Sequence, residues 1–527
     1  MDLQQVRCAG RLGMAALLLT ACPGGQRGEI DFTGTGAPTT GPGDTSGTTD
    51  PSGPADSTGD VSCNSDSDCA GNPNGEVCDV DNGVCGAPCE PDETRPCYSG
   101  PDGSDGVGAC TAGVNVCNDE GRWDLWCQGE VVPAAEVCDN QLDDDCDGTV
   151  DDSDNDGDGF GLCSGDCCDI DGGTCTDAQL VNPGAFEVVG NKLDDDCDGD
   201  IDEAPQTCDA GLASNTSDAG AYAMALDLCQ TTEESPADPL DRTWGVIDVS
   251  LTRADGTGSP LPVQHALRPD FGNLIDPEHG DRMVALSSGH AADASDTNPN
   301  FADFETGQNL GTSSDAPADW LAANGGQMPN PAGCLEPWNV DANDPVMLTM
   351  RVRAPTNASS FSVMTFFFSA EYPEWVCSEF NDFFVALVDS TADNPGDKNI
   401  AIYDDGDTQW PLGVNLVMVA DGLFTQCENG AVGCASDLDS SYFGCVGDAL
   451  LDGTGFDNED FDACEPSQQL VGGGTGWLRM SGNVTPGEIF EIRFAIWDTS
   501  GHLFDSLVLL DDWEWSLDAA EPGVAPG

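Results

Sequence analysis

Apolar and polar residues alternate in short segments over residues 205–517, with turns rich in Gly, Asp, Asn and Pro between the segments. In "IFEIRFAIW", apolar side chains recur at every second position and share one face of a strand; they are Phe490, Ile492, Phe494 and Ile496. Similar segments are "SFSVMTFFFSAEY", "NDFFVALVDS" and "DSLVLLDDWEW". The pattern predicts a mainly β chain that ends in an antiparallel, jelly-roll-like β-sandwich with one or two helices.

Two segments near the ends of this region differ from the strand pattern. "SDAGAYAMALDLC" has apolar positions at helical spacing, and Ser217 or Asp218 would serve as its N-cap. The final residues, 518–527, are small, acidic or proline, and we predict a disordered tail there.

The first apolar run of the chain is short and lies at the amino end. Arg7 and Arg11 precede "LGMAALLLTAC", which is too short to span a bilayer but is typical of a signal sequence. The run ends in Leu-Thr-Ala-Cys, which resembles a bacterial lipobox and implies cleavage after residue 21 and lipidation of Cys22. We therefore expect an exported outer-membrane lipoprotein at the cell surface, in which the lipid is the contact with the membrane. An ordinary signal peptide is the alternative.

Two segments without a strong apolar pattern follow the signal. Residues 22–62 contain little besides Gly, Thr, Ser, Pro and Asp after the cysteine, so we expect a flexible linker. Residues 63–135 are studded with cysteines and turn residues, and we expect small hairpins held by disulfides. Without Cys8 and Cys22, the 26 cysteines leave an even number that could form up to 12 bridges. Zinc fits less well because the spacings are irregular and this half lacks histidine.

Acidic residues dominate the charge of the chain. There are 96 Asp and Glu against 15 Lys and Arg, for a formal net charge of −81. Such a chain is not expected to bind nucleic acid or anionic lipid headgroups, since both require basic side chains that replace counterions. Cations are the expected ligands, although proteins from salty habitats also carry acidic surfaces.

Acidic residues are densest in residues 136–203, which contain 23 Asp and Glu and a single basic residue, Lys192. The pattern D-x-D-x-D-G occurs there three times, starting at Asp143, Asp154 and Asp194. Alternating carboxylates in a tight loop direct oxygens to a common centre, the glycine allows the turn, and calcium requires six to eight oxygens. The candidate ligands are Asp143, Asp145, Asp147, Asp151, Asp154, Asp156, Asp158, Asp194, Asp196 and Asp198.

The spacing after Asp143 is close to that of an EF-hand loop, but no helix-forming sequence flanks it, and overlapping loops pinned by cysteines look more like thrombospondin type 3 calcium repeats. "EVCDNQLDDDCDGTVDD" and "EVVGNKLDDDCDGDIDE" form an internal repeat at an offset of 51 residues. Together with "DNDGDGFGLCSGDC", they resemble the metal-binding repeat named after MopE, which implies copper. The segment lacks His and Met, so calcium is favoured; a disordered acidic spacer and a transition-metal site are the alternatives.

Three segments of the last region resemble the choice-of-anchor L family of bacterial surface domains over about 245–517. They are "FFFSAEYPEWVCSEFNDFFVALV", "YFGC…LLDGTGFD" and "FEIRFAIWDTSGHLFDSLVLLDDWEW". The resemblance implies surface display and no established catalytic activity. It also suggests a second metal site at Glu371, Asp382, Asp498 and Asp505, with Glu374, Asn381, Asp511 and Asp512 nearby. A solvated acidic loop is the alternative.

No catalytic motif is found in the sequence, which lacks HExxH, GxSxG and a Gly-rich phosphate loop. Ser288, His290 and Asp293 are close in sequence, but this does not establish a triad geometry. We therefore expect a calcium-binding protein without enzymatic activity, whose sandwich serves adhesion to an unknown polysaccharide or protein. A surface hydrolase and a metal-sequestering protein are the alternatives.

Overall fold

The computed structural model describes residues 63–527 with short gaps, which are 72–76, 80–83, 87–88, 120–121, 125, 139, 152–153, 173–174, 238–240, 306–308, 405, 407, 421, 459–463 and 465–470. The predicted signal peptide, Cys22 and the linker lie outside the described residues. About 30% of the described residues are in strands and 8% are helical, so the prediction of a mainly β protein is confirmed.

The first described part, residues 63–88, belongs to a compact unit of its own. Strands β1 (Val77–Asp79) and β2 (Val84–Gly86) pair antiparallel. Disulfides Cys63–Cys78 and Cys69–Cys85 replace the apolar core that so short a segment cannot form.

The second unit starts at Cys89 and contains the rest of the chain. Its first hairpin consists of β3 (Thr94–Cys97) and β4 (Gly113–Val116). The bridges Cys89–Cys117 and Cys97–Cys127 secure this hairpin, and Cys110–Cys146 links it to the acidic segment. The expectation of small hairpins held by disulfides is confirmed.

Every cysteine of the described part of the chain is in a disulfide, which makes 12 bridges from 24 cysteines. The other seven bridges are Cys138–Cys163, Cys167–Cys197, Cys168–Cys175, Cys208–Cys229, Cys334–Cys377, Cys427–Cys445 and Cys434–Cys464. The loops they close span 7 to 43 residues along the sequence. Closing such loops restricts the unfolded chain and stabilises segments that bury little apolar surface.

The acidic module, residues 136–203, has two short 3₁₀ turns in its described part, Leu162–Ser164 and Ala178–Leu180. It packs on the sandwich through the turn 354–359. The backbone N–H of Phe186 donates to Asn357 Oδ1 and the Asn357 side chain donates to the Phe186 carbonyl, both at 2.9 Å. The module is therefore hydrogen-bonded to the domain that follows it.

The remaining strands and the two α-helices build the carboxy-terminal domain. The helices are α1 (Gly220–Met224) and α2 (Ala318–Ala323). The strands are β5 (Gly245–Thr252), β6 (His265–Arg268), β7 (Met283–Ser287), β8 (Ser313–Asp315), β9 (Asp341–Arg353), β10 (Ser360–Ser369), β11 (Phe383–Asp389), β12 (Ile402–Asp404), β13 (Gln409–Gly413), β14 (Gly430–Val432), β15 (Ser440–Tyr442), β16 (Gly473–Gly474), β17 (Leu478–Asn483), β18 (Ile489–Asp498), β19 (Ser506–Ser516) and β20 (Gly523–Pro526).

Two seven-stranded sheets make the sandwich. The first has the order β20-β17-β10-β19-β7-β6 with β16 on β10, and the second has the order β12-β13-β11-β18-β9-β5 with β8 on β9. All pairs of these strands are antiparallel. The chain crosses between the sheets from β9 to β10, from β10 to β11, and again around β18. The ends of the central strands of both sheets therefore meet at one end of the sandwich.

Strand β18 shows why the sheets pack face to face. Its alternate residues, Phe490, Ile492, Phe494 and Ile496, are all buried in the core between the sheets, which confirms the predicted period of two. Ala495 and Trp497 point the other way into a second apolar cluster with Trp320 of α2. The end of this strand is buried on both faces, and this determines the environment of the residue that terminates it.

The predicted helix near residue 217 is shorter than its apolar pattern. It begins at Gly220, with Asp218 Oδ1 accepting the Gly220 N–H at 3.1 Å ahead of the first turn. The chain leaves the helix after Met224, and Asp227 has a positive φ of 61°. The disulfide Cys208–Cys229 fixes the exit of the chain.

The prediction of a disordered tail at 518–527 is wrong. Residues 523–526 pair with β17, Ser481 opposite Gly523 and Leu478 opposite Pro526. Val524 packs against the main core, and Asn483 accepts the Ala520 N–H at 2.8 Å. An open sheet edge provided backbone partners that composition alone does not reveal.

Among the described residues, no helix has the length and apolar character needed to cross a membrane.

We expect Ile492→Ala to lower the free energy of unfolding of the sandwich by about 2–5 kcal/mol, because it leaves a cavity in the core between the sheets. Glu491→Ala, at the adjacent position on the opposite face, should cost less than about 1 kcal/mol. Urea unfolding followed by tryptophan fluorescence measures both values. Equal losses of unfolding free energy in the two variants would contradict the alternation of buried and exposed residues along β18.

Candidate metal centres

The two copies of the internal repeat fold alike. In the first copy, Glu136 Oε1 accepts the N–H groups of Asp144 and Asp145 at 2.8 and 2.9 Å. In the second copy, Glu187 accepts the N–H groups of Asp195 and Asp202 at 2.9 and 2.8 Å. Each acidic side chain thus organises the backbone of its own loop.

Backbone conformation repeats as well. Positive φ angles recur at corresponding positions of the two copies, in the pairs Gln141 and Lys192, Cys146 and Cys197, Asp151 and Asp202, and Gly148 and Gly199. The glycines of the three D-x-D-x-D-G patterns have φ between 98° and 106°. Side chains rarely adopt that region, so the glycine is required for the turn, as the pattern predicted.

The first loop brings three carboxylates together. Oxygens of Glu136, Asp143 and Asp145 lie within 4.8 Å of one another. Asp143 uses its two oxygens to accept the N–H groups of Asp147 and Gly148 at 3.1 and 3.0 Å. Glu136 Oε2 is buried without a hydrogen-bond partner in the described chain, so an acceptor atom remains available inside the loop.

The second loop brings five carboxylates together, of which that of Asp166 is buried. Asp156 lies within 4.8 Å of Asp154 and Asp169 on one side and of Asp158 and Asp166 on the other. Asp166 is only 2% exposed, and burial raises its pKa to about 7, with nearby Asp158 adding to the effect. Burial likewise raises the pKa of Asp158 to about 6. One oxygen of each of Asp156, Asp158 and Asp166 has no hydrogen-bond partner among the described residues.

The third loop repeats the first. Asp194 Oδ2 accepts the Gly199 N–H at 3.1 Å, whereas its Oδ1 is buried without a partner in the described chain. Burial raises the pKa of Asp196 to about 6, with the adjacent charge of Asp198 as the next cause. Glu203 Oε2 is also buried and unpartnered there.

Several of the predicted ligands are occupied by the backbone. Asp147 Oδ1 accepts the Thr149 N–H at 2.7 Å, and Asp198 Oδ1 accepts the Asp200 N–H at 2.9 Å. Both oxygens of Asp151 accept backbone N–H groups, at 3.1 and 3.0 Å, and close the loop of the first copy. The sequence pattern missed Glu136, Asp166, Asp169, Glu187 and Glu203, because their distance from D-x-D-x-D-G gives no local signal.

The donors fit a hard cation. Every potential ligand in residues 136–203 is an oxygen, since the segment has no His or Met and its cysteines are in disulfides. Calcium and other hard cations prefer carboxylate and carbonyl oxygen, whereas copper prefers imidazole and soft sulfur. The residues present therefore fit calcium and do not fit copper.

The four residues of the second predicted metal site do come together. Glu371, Asp382, Asp498 and Asp505 are each 1–2% exposed at the end of the sandwich, so they do not form a solvated loop. Asp511 and Asp512 lie elsewhere along β19, where Asp511 accepts the backbone N–H groups of Glu278 and His279.

A further cluster was not predicted. Atoms of Asp227, His279 and Asp512 lie within 4.8 Å of one another, and His279 Nδ1 is 2.9 Å from Asp227 Oδ2. The hydrogen bond with Asp227 raises the pKa of His279. More than 200 residues separate Asp227 from Asp512, so no sequence pattern could have revealed this cluster.

The structure does not join Ser288, His290 and Asp293 by hydrogen bonds. His290 Nδ1 is 2.7 Å from the Asn300 carbonyl, and the Ser288 hydroxyl donates to the Ser506 carbonyl at 3.3 Å. Asp293 accepts the backbone N–H of Gly272 and of Ser295 at 2.8 Å. These contacts tie loops together and provide no nucleophile with its base.

The raised pKa values predict how pH acts on the metal-free module. A carboxyl group whose pKa is higher in the folded state than the ordinary 3.8 destabilises the fold above about pH 4, and this penalty shrinks as pH falls through the folded value. In the presence of EDTA, acidification from pH 8 to 5.5 should therefore reduce the destabilisation that the Asp166 carboxylate causes. Asp166→Asn should flatten the pH profile of protease resistance between pH 5.5 and 8.

Asp200→Asn is the matched control, since it removes the same charge from an exposed position of the module. Identical profiles for the two variants would contradict the role of Asp166.

Comparison with known protein families finds matches in the acidic module and in the sandwich domain. Residues 281–514 match the model of the choice-of-anchor L domain. Residues 133–152 and 176–203 match the MopE-type model described as "Putative metal-binding motif". No curated protein and no solved structure matches the chain. The choice-of-anchor domain and the many disulfides indicate an exported, surface-associated protein. The chain thus contains a segment similar to the MopE-type motif, followed by a region similar to the choice-of-anchor L domain.

Proposed function

We propose that this surface-associated protein binds calcium through its acidic module and is held to the outer membrane by lipid on Cys22. The sandwich domain then serves adhesion or another extracellular binding role, without catalysis. The single observation that carries the calcium assignment is the set of buried carboxylate oxygens that lack hydrogen-bond partners in the three loops, which include Glu136 Oε2, Asp166 Oδ2 and Asp194 Oδ1.

Charge supports the same assignment. The module has 23 acidic side chains against Lys192, so its own basic residues cannot neutralise it. Removal of carboxylates from water is costly unless a proton or a cation compensates them. A divalent ion in each loop removes the repulsion and orders the loop in one step, so that binding is coupled to folding.

Order in the module affects the domain that follows. Asn182 accepts the Thr356 hydroxyl at 2.6 Å, and Gly184 accepts the Thr356 N–H at 2.9 Å. Gly184 also packs between Thr356 and Phe160, and Phe160 directly follows the glycine of the second loop. Calcium bound in the loops would therefore also fix the part of the module that contacts the sandwich.

Adhesion is supported by large side chains that the sandwich leaves exposed. Trp338 is 68% exposed and Phe443 is 75% exposed, whereas Trp375, Trp410 and Trp477 are partly buried. Aromatic rings at a surface are common at recognition sites. Screening the whole chain on glycan arrays and against hydrolase substrates separates adhesion from the hydrolase alternative.

We expect calcium to protect residues 136–203 from proteolysis, because the bound ion offsets the repulsion among the carboxylates. Asp143→Asn combined with Asp194→Asn should raise the calcium concentration needed for half-maximal protection by at least about tenfold, since each substitution removes a central carboxylate of a loop. Calcium titration followed by limited proteolysis and mass spectrometry measures this.

Asp200→Asn provides the control, with expected calcium dependence equal to that of the unmodified chain. Protection by Cu²⁺ or Zn²⁺ but not by Ca²⁺ would contradict the proposal and would favour metal sequestration.

The anchor is tested separately. Cys22→Ser should release the exported chain from the membrane fraction into the medium and abolish labelling by radioactive palmitate, because it removes the thiol that carries the lipid. Continued labelling of this variant would exclude Cys22 as the lipidated residue.

A further inference from the structure

Four carboxylates meet at one end of the sandwich because four central strands end there. Glu371 follows β10, and Asp505 precedes β19, whose Ser506 pairs with Ser369 of β10. Asp382 precedes β11, and Asp498 ends the adjacent β18. Each sheet therefore contributes two carboxylates to the same place.

Direct contacts connect the two sheets at this point. The Ser506 hydroxyl donates to Asp382 Oδ2 at 2.8 Å, and the Thr499 N–H donates to Asp382 Oδ1 at 3.0 Å. The Asp382 N–H donates to Glu371 Oε2 at 3.4 Å. These bonds leave further lone pairs on the oxygens of Glu371 and Asp382.

Asp498 is the least satisfied member of the group. It is 1% exposed, and neither of its carboxylate oxygens has a hydrogen-bond partner within the described chain. The charges that act on it most strongly are those of Asp382 and Asp505. An unpartnered carboxylate therefore points into a buried cluster of other carboxylates.

Three of the four carboxylates lack a basic partner in the described part of the chain. Among the ion pairs of the described residues, none involves Glu371, Asp382 or Asp498. The nearby His502 is 2.8 Å from Asp344 instead. Burial raises the pKa of Glu371 and of Asp498 well above the ordinary range, and raises that of Asp382 to about 7. At neutral pH the cluster therefore needs either protons or a cation.

We propose that Glu371, Asp382, Asp498 and Asp505 bind a calcium ion that joins the two sheets at this end of the sandwich. All four donors are carboxylates, which suits a hard divalent cation. Calcium suits the site better than magnesium, because magnesium retains several waters and the four side chains are shielded from solvent. This site is separate from the acidic module and does not depend on calcium binding there.

Close packing maintains the site. A Cβ atom on Gly289 would overlap the Asp505 carboxylate, so the glycine leaves the space that this side chain occupies. Ser506 N–H donates to Ser288 Oγ at 2.9 Å, which fixes the residue next to Asp505. These contacts fix the position of the backbone around the carboxylates.

Protonation of the cluster is the competing explanation, and Asp498→Asn distinguishes the two. If calcium binds there, native mass spectrometry of the full chain should show one bound calcium ion fewer than in the unmodified chain. Asp393→Asn, an exposed residue on the loop that follows β11 at the other end, should leave the count unchanged. An unchanged count for Asp498→Asn, or a more heat-stable variant that binds as many ions, would overturn the proposal.

A measurement on the unmodified chain applies even if the variant fails to fold. Hydrogen exchange should slow in peptides 369–383 and 497–507 when EDTA is replaced by Ca²⁺, by about a hundredfold at a concentration 100 times the Kd. Equal exchange rates of these peptides in EDTA and in Ca²⁺ would overturn the proposed calcium site. Protection confined to 136–203 would contradict the sandwich site and leave the proposed function intact. Protection confined to the two sandwich peptides would support the sandwich site and contradict calcium binding by the acidic module.

Discussion

Carboxylates that are withdrawn from water without a basic partner constrain this structure more than any other interaction. With 96 acidic and 15 basic residues, most carboxylates cannot form ion pairs. The few basic side chains of the sandwich pair with nearby carboxylates. Asp319, for example, accepts a hydrogen bond from Arg493 and lies 3.3 Å from Lys398. These contacts outweigh the effect of burial and lower the pKa of Asp319 to about 2. The carboxylates without a basic partner must be solvated, hydrogen-bonded to backbone N–H groups, protonated or bound to ions.

The acidic module and the sandwich solve this problem in different ways. In the module, backbone N–H groups of tight turns bond to one oxygen of some carboxylates and to both oxygens of others, such as Asp143 and Asp151. Disulfides hold the loops that carry them. In the sandwich, apolar side chains of two sheets enclose the carboxylates, so that Asp498 is flanked by buried Trp497. Both arrangements leave some buried carboxylate oxygens without a hydrogen-bond partner among the described residues.

Local patterns were sufficient for much of the fold and part of the site. The alternation of Phe490 to Ile496 follows from strand geometry alone, and the three glycines of D-x-D-x-D-G have the positive φ that their position required. Contacts between distant segments could not be derived in this way. Asp227 and Asp512 meet through folding of the whole domain, and the tail pairs with β17 because an edge was open. Asp151 has the predicted spacing, yet its carboxylate holds backbone N–H groups.

The turn 354–359, where the module is docked, precedes β10, whereas Glu371 follows the end of that strand. Ten residues of strand separate the two places by roughly 33 Å. That distance exceeds the Debye length of about 8 Å at physiological ionic strength. We therefore expect direct charge repulsion through solvent to couple the two proposed calcium sites only weakly. A chain with both proposed sites would respond to rising calcium at two separate concentrations, one for the acidic module and one for the sandwich.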